Sequence, residues 1–211
     1  MAVQLLENWL LKEQEKIQTK YRHLNQVSVL EPDILFIGDS IVEYYPLQEL
    51  FGNAKTIVNR GIRGYQTGLL LENLDAHLYG GAVDKIVLLI GTNDMGKDVP
   101  VNEALNNLEA IIQSIARDYP LTEMKLLSIL PVNEGEEYKQ TVYIRTNEKI
   151  QKWNQAYQEL ASAYMQVEFV PVFDSLTDQA GQLKKDYTTD GLHLSVAGYQ
   201  VLTKSLKDYL L

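Results

Sequence analysis

Apolar residues recur along this chain with two periods. From Val3 to Leu24, the residues Val3, Leu6, Leu10, Ile17, Tyr21 and Leu24 fall at helical spacing with charged residues between them, which predicts an amphipathic first helix. Beyond Pro32, five short runs have strand character: Ile34–Ile37, Thr56–Asn59, Lys85–Ile90, Met124–Ile129 and Glu168–Phe173. Four of them are almost wholly apolar, as suits strands of a parallel sheet covered on both faces. Helix-patterned segments over 41–51, 65–78, 101–118 and 142–165 separate the runs. A last segment, Ser195 to Leu211, carries Val196, Tyr199, Leu202, Leu206 and Leu210 along one face. The alternation predicts an α/β fold of three layers, α/β/α, with right-handed crossovers and a five-stranded parallel sheet of order 2-1-3-4-5.

Composition narrows the class. At 211 residues the chain is expected to be a single domain, 1–211, with the amphipathic helix of residues 1–26 packed upon it. That helix carries acidic as well as basic side chains, which favours packing on its own domain over a membrane surface. The formal charge of −9, with Lys and Arg scattered, leaves no basic footprint for nucleic acid. Arg60 and Arg63 are the basic side chains that could act locally within a cleft. Cysteine is absent, which removes disulfides, thiolate nucleophiles and Cys-based zinc sites. Glu7, Lys12 and Glu13 interrupt the first apolar stretch too early for a signal-peptide core, and no apolar run spans a bilayer, so stable membrane insertion is not expected and a cytoplasmic location is the default.

Chemistry concentrates where strand-like runs end. Gly38-Asp39-Ser40 closes the first run and leads into a helix, placing Ser40 at a helix N-terminus with its own N–H free to donate. Taken alone, the triplet also fits a helix-capping serine. The chain has three histidines; His23 and His77 fall within predicted helices and read as surface or core-edge residues, whereas His193 follows Asp190 by three residues. A tight turn there lets the carboxylate hold one imidazole nitrogen and leaves the other for Ser40, the logic of a serine nucleophile with its base. A two-ligand Asp/His metal site and a capping Asp190 are the rival readings. Gly61 follows the second run and offers a backbone N–H; Asn93 follows the third and offers a side-chain amide, so both, with the Ser40 N–H, are candidate donors to an oxyanion. The spacing Gly61-x-x-Gly64-x-x-x-Gly68 does not fit a dinucleotide loop, and Gly-x-Ser-x-Gly is absent.

These four blocks, Gly38-Asp39-Ser40, Asn59-Arg60-Gly61, Gly91-Thr92-Asn93-Asp94 and Asp190-Gly191-Leu192-His193, resemble in kind and order those of the GDSL/SGNH hydrolases. The resemblance covers most of the chain. It implies a flavodoxin-like α/β/α fold, a Ser40 nucleophile, a His193 base oriented by Asp190, an oxyanion hole from Ser40, Gly61 and Asn93, and neither metal nor organic cofactor. Ile41 stands where the family's name has leucine. Within the family the first two blocks are similar to those of bacterial acylhydrolases and platelet-activating-factor acetylhydrolase catalytic subunits, which suggests a short, acetyl-like acyl group.

The expected function is therefore a serine esterase acting on a small-molecule ester. A carbohydrate O-acetylesterase or a lysophospholipase-like enzyme shares the same motifs, and a non-catalytic module that binds acylated ligands is the reading from another class. A phospho-acceptor domain using Asp39 lacks the companion acidic pair and lysine. Homo-oligomerisation is compatible with the sequence. Tyr44, Tyr45, Arg63 and Tyr65 lie near the motifs as candidate substrate contacts, and the acidic loop Pro131 to Gln140 reads equally as a solvated turn.

Overall fold

The computed structural model describes residues 2–28, 31–78 and 81–211. In chain order the elements are α1 Ala2–Val27, β1 Ile34–Gly38, α2 Ser40–Glu43, α3 Leu47–Phe51, β2 Ile57–Gly61, α4 Thr67–Glu72, α5 Leu74–His77, β3 Lys85–Leu89, α6 Thr92–Gly96, α7 Val101–Asp118, β4 Glu123–Leu127, α8 Lys139–Val142, α9 Asn147–Ser162, β5 Val167–Val170 and α10 Val196–Leu210. Three-residue 3₁₀ turns lie at Glu136–Tyr138, Asp174–Leu176 and Lys185–Tyr187. The strands form one parallel sheet of order β2-β1-β3-β4-β5, as the alternation predicts.

All five residues of β1 are buried, because both faces of the sheet are covered. Leu35 and Ile37 point into one apolar layer with α4, α5, α7 and α9; Ile34 and Phe36 point into the other with α2, α3 and α10. Period-two alternation thus divides a continuous apolar run between two cores. In register, Gly38 lies beside Gly61 on one neighbour and Leu89 on the other. The segments that follow β1, β2 and β3 therefore leave the sheet at one edge.

Several helix boundaries differ from the expected ones. Segment 41–51 breaks into α2 and α3 at Pro46, whose missing N–H and fixed φ end the preceding turn. Segment 142–165 begins later, at Thr146, whose side chain accepts from the Lys149 N–H and so caps α9. Helix α6 has no counterpart among the expected helices, since Gly91-Thr92-Asn93-Asp94 reads as a loop. The last helix is capped by Ser195, which accepts from the Gly198 N–H.

The inner stripe of α1 is more polar than its apolar spacing suggests. The Val3 and Leu6 side chains lie outside the described ones. Of the remaining expected positions, Leu10 and Ile17 are half-buried and Tyr21 is buried, whereas Leu24 is exposed along with Trp9, Leu11 and Val27. Docking relies on polar groups: Gln14 Nε2 donates to Arg63 O at 2.9 Å, Tyr21 Oη donates to Gly61 O at 2.9 Å, and Gln18 Nε2 donates to the Tyr65 hydroxyl. Arg22 grips Asp75 at 2.7 Å, and Asn25 donates to Leu78 O at 2.9 Å. Helix α1 thus clasps both the segment after β2 and the end of α5. Replacing Tyr21 by Phe deletes one buried bond at constant packing, and urea unfolding is expected to show a loss of about 0.5–1.5 kcal/mol. Unchanged stability would mean that packing alone seats the helix.

Candidate active site

Four loops meet at the C-terminal edge of the sheet. Ser40 opens α2 behind Asp39, whose Oδ1 accepts from the Ile41 N–H at 2.9 Å and caps the helix. The carbonyls of this short helix are anchored in turn: Tyr199 Oη donates to Ile41 O at 2.7 Å and Asn59 Nδ2 donates to Val42 O at 2.6 Å. Across the cleft, His193 Nε2 lies 2.9 Å from Ser40 Oγ, and His193 Nδ1 lies 2.7 Å from Asp190 Oδ2. The other Asp190 oxygen accepts from the N–H groups of Leu192 and His193, at 3.0 and 2.8 Å. Both ring nitrogens are thus engaged, Nδ1 with the carboxylate and Nε2 with the hydroxyl. This geometry lets the imidazole take a proton from Ser40 while the carboxylate fixes its tautomer.

The turn that carries His193 is fixed by its neighbours. Gly191 adopts φ +86°, and a Cβ there would lie 2.5 Å from Tyr138 Cβ and 2.9 Å from Val142 Cγ2. Its carbonyl accepts from the Asn133 N–H at 2.8 Å. Segment 131–140 is therefore more than a solvated acidic turn: Asn133 is buried and, with Tyr138, forms the wall on which the Asp190–His193 turn rests.

The expected oxyanion donors fare differently. Asn93 spends one amide hydrogen on Tyr65 O at 3.0 Å, and the amide's second hydrogen has no partner among the described residues. The Gly61 N–H donates to Asn59 Oδ1 at 2.9 Å, so Asn59 both pins α2 and engages the glycine's donor. Three residues on, Gly64 adopts φ +73°, and its N–H has no hydrogen-bond partner among the described residues. Flanking bonds hold it in place: the Arg63 N–H donates to Glu43 Oε2 at 2.6 Å, and the Tyr65 carbonyl takes the Asn93 amide. The signal for Gly64 is the second glycine of Gly61-x-x-Gly64, considered in the sequence only as a dinucleotide loop.

Nearby aromatic and basic residues separate by burial. Tyr44 is 45% exposed and its ring centroid lies 5.7 Å from that of His193; Tyr45 is buried against Phe36 and Tyr199, and Tyr65 is buried beneath α1. Arg63 forms an ion pair with Glu43 and its guanidinium lies 5.4 Å from the Tyr44 centroid. Arg60 is buried against Tyr21 and Asn25, away from any cleft role. His77, expected at the surface or core edge, is fully buried; its Nδ1–H donates to Arg60 O at 2.6 Å, and burial pushes its imidazole down to about 4.

Similarity to known proteins agrees with this geometry. The profile of the GDSL-like Lipase/Acylhydrolase family matches residues 36–201. The chain belongs to that family. It is accordingly a carboxylic ester hydrolase, and all four motif blocks fall within the matched span. Rattus norvegicus platelet-activating factor acetylhydrolase IB subunit alpha2 is 28% identical over 186 residues, covering 86% of this chain and 77% of the relative. A solved Streptococcus pneumoniae structure, described as a proposed platelet activating factor, is 90% identical, covers 100% of this chain and 99% of its own, and superposes with a TM-score of 0.99. A proposed acylhydrolase from Bacteroides fragilis shares the fold at a TM-score of 0.77, with 20% identity over 91% of this chain and 94% of its own.

Two carboxyls of this GDSL-family site are tuned in opposite directions. Partial burial pushes Asp190 up, but hydrogen bonds from the His193 ring and from the backbone N–H groups outweigh it and bring the carboxyl down to about 2. Asp39 is buried, its Oδ2 has no hydrogen-bond partner among the described residues, and desolvation pushes it up to about 7. The folded protein therefore holds the Asp39 proton more tightly than the unfolded chain, whose value is near 3.8. Stability contributed by that proton is complete below about 4 and is lost as pH rises to about 7. Asp39→Asn keeps the Oδ1 acceptor and removes the titration, so its stability relative to wild type is expected to rise steadily across this window in urea melts. A difference independent of pH would mean that Asp39 remains ionised throughout.

Proposed function

We propose that this GDSL-family protein is a serine esterase in which Ser40 is the nucleophile, His193 the general base and Asp190 the group that orients His193. The observation that carries this reading is the continuous chain from Ser40 Oγ through both imidazole nitrogens to Asp190 Oδ2, at 2.9 and 2.7 Å. His193 Nε2 takes the hydroxyl proton as Ser40 Oγ attacks the ester carbonyl, and the imidazolium returns that proton to the departing alcohol. Water, deprotonated by the same nitrogen, then releases the acid and restores Ser40.

Charge developing on the carbonyl oxygen requires donors that are not spent elsewhere. The Ser40 N–H, the Gly64 N–H and the second Asn93 amide hydrogen meet that condition among the described residues. We assign the oxyanion hole to these three, with Gly64 in place of Gly61.

A short acyl group is supported by the names of relatives: the rat protein is a platelet-activating factor acetylhydrolase subunit, and the Streptococcus pneumoniae structure is described by the same factor. Acetylated sugars and lysophospholipids fit the same acyl-transfer machinery and are distinguished by chain length and alcohol. Among the described residues no helix is long and apolar enough to cross a membrane.

The deciding experiment is hydrolysis of p-nitrophenyl esters from acetate to octanoate, alongside fluorophosphonate labelling. Wild type is expected to turn over the acetate best and to be labelled on Ser40, and Ser40→Ala is expected to lose both. Ester turnover that survives Ser40→Ala would overturn the nucleophile, and absence of both turnover and labelling would favour a module that binds acylated ligands. Asn93→Ala is expected to lower kcat on the order of 10² to 10³-fold. Unchanged kcat in that variant would remove Asn93 from the oxyanion hole.

A further inference from the structure

Arg145 is an expensive residue in its place. Only 8% exposed, it lies two positions after Tyr143, which adopts φ +59°, a left-handed conformation disfavoured for a bulky side chain. Its guanidinium forms no ion pair among the described residues. Instead Nε donates to Thr92 O at 2.9 Å, and Nη1 donates to Thr141 O at 3.2 Å and to Val142 O at 3.1 Å. A buried cation hydrogen-bonded to neutral carbonyls carries a desolvation cost that a neutral donor would avoid.

The three carbonyls belong to opposite halves of the site. Thr92 immediately precedes Asn93 and opens α6. Thr141 and Val142 close α8, and Val142 is the side chain packed where a Cβ of Gly191 would lie, beneath the Asp190–His193 turn. The far end of α6 is fitted to the same group: a Cβ on Gly96 would stand 2.0 Å from Arg145 Nη2 and 2.4 Å from Cζ. Helix α6 therefore meets the guanidinium with a carbonyl at its first residue and a glycine without a side chain at its last. The carboxyls of Asp39, in the nucleophile turn, and Asp190, in the histidine turn, are the acidic groups that act on Arg145 through space.

We propose that Arg145 is a positioning residue for ester hydrolysis, a cationic strut that sets the Asn93 turn against the Asp190–His193 turn across the cleft. This rests on the assignment of Ser40, His193 and Asn93 made above. Removing the strut leaves each turn formed but lets the oxyanion donor drift from the acid–base pair, and a displacement of about 1 Å suffices for a loss on the order of 10² in rate.

The test uses the full chain, p-nitrophenyl acetate, and kcat normalised to the Ser40 titrated by fluorophosphonate. Arg145→Met is expected to lower kcat on the order of 10²-fold with KM within about threefold of wild type. Arg145→Lys, which keeps the charge but not the fork of donors, is expected to fall between the two. Gly96→Ala displaces the guanidinium without removing it, is expected to reproduce the kcat loss, and should add nothing in the double variant with Arg145→Met. Should Arg145→Met fail to fold, Arg145→Lys and Gly96→Ala carry the test. Wild-type normalised kcat in the folded variants, or losses that multiply in the double variant, would overturn the strut. Ser40-dependent turnover in wild type keeps that failure distinct from failure of the serine mechanism itself.

Discussion

Parallel pairing around β1 is the constraint from which the site follows. With Gly38 beside Gly61 on one side and Leu89 on the other, three chain segments leave the sheet side by side and turn toward one another. Nothing in this register needs the side chains of the site. It needs buried apolar strands, crossover helices on both faces, and glycines where β1 and β2 end. In the proposed mechanism the chemistry is added by the first few residues of each segment: Ser40 after β1, Gly64 after β2 and Asn93 after β3. The Asp190–His193 turn arrives separately, from the stretch before α10, and must be held from outside the sheet. Asn133, Tyr138 and Val142 do this.

Electrostatics follows from how each carboxyl meets solvent and N–H groups. Asp39 and Asp190 both accept backbone N–H groups, yet one is raised and the other lowered. Asp39 has a single such bond and an unpartnered oxygen in a buried place; Asp190 has two backbone donors, an imidazole partner and partial access to solvent. A motif written Gly-Asp-Ser thus contains a carboxyl whose local work is to cap α2, while the carboxyl that addresses the histidine lies 151 positions further along the sequence.

What was legible in the sequence was whatever has a short period or a short motif. Apolar runs marked all five strands, their alternation with helices pointed to the order, and Ser40, Asn93, Asp190 and His193 were marked by their places after those runs or by three-residue spacing. What was not legible depends on who already holds a given N–H or fills a given space. Gly61 and Gly64 are equally plausible donors until Asn59 is seen to occupy the first. Tyr44 and Tyr45 are adjacent in the chain, but Pro46 ends the helix there and only Tyr44 faces His193. Arg145 lies in a stretch with no motif, and its partners are carbonyls, which leave no mark in a sequence. The helix of residues 2–27 was legible as amphipathic, but among the described residues its inner stripe docks through Gln14, Gln18 and Asn25 as well as through apolar positions.

That polar stripe gives the site a hierarchy of openings. Helix α1 touches the segment carrying Gly64 at Gly61 O, Arg63 O and the Tyr65 hydroxyl, and several large apolar side chains on its other face meet water. An element docked largely through polar groups among its described residues detaches at lower free energy than the central strands separate. Its detachment would release the Gly64 segment while leaving the sheet and the Ser40–His193 pair in place. In the proposed mechanism, a molecule that stiffens or pries at α1 would then act on ester hydrolysis through the Gly64 segment rather than by entering the cleft.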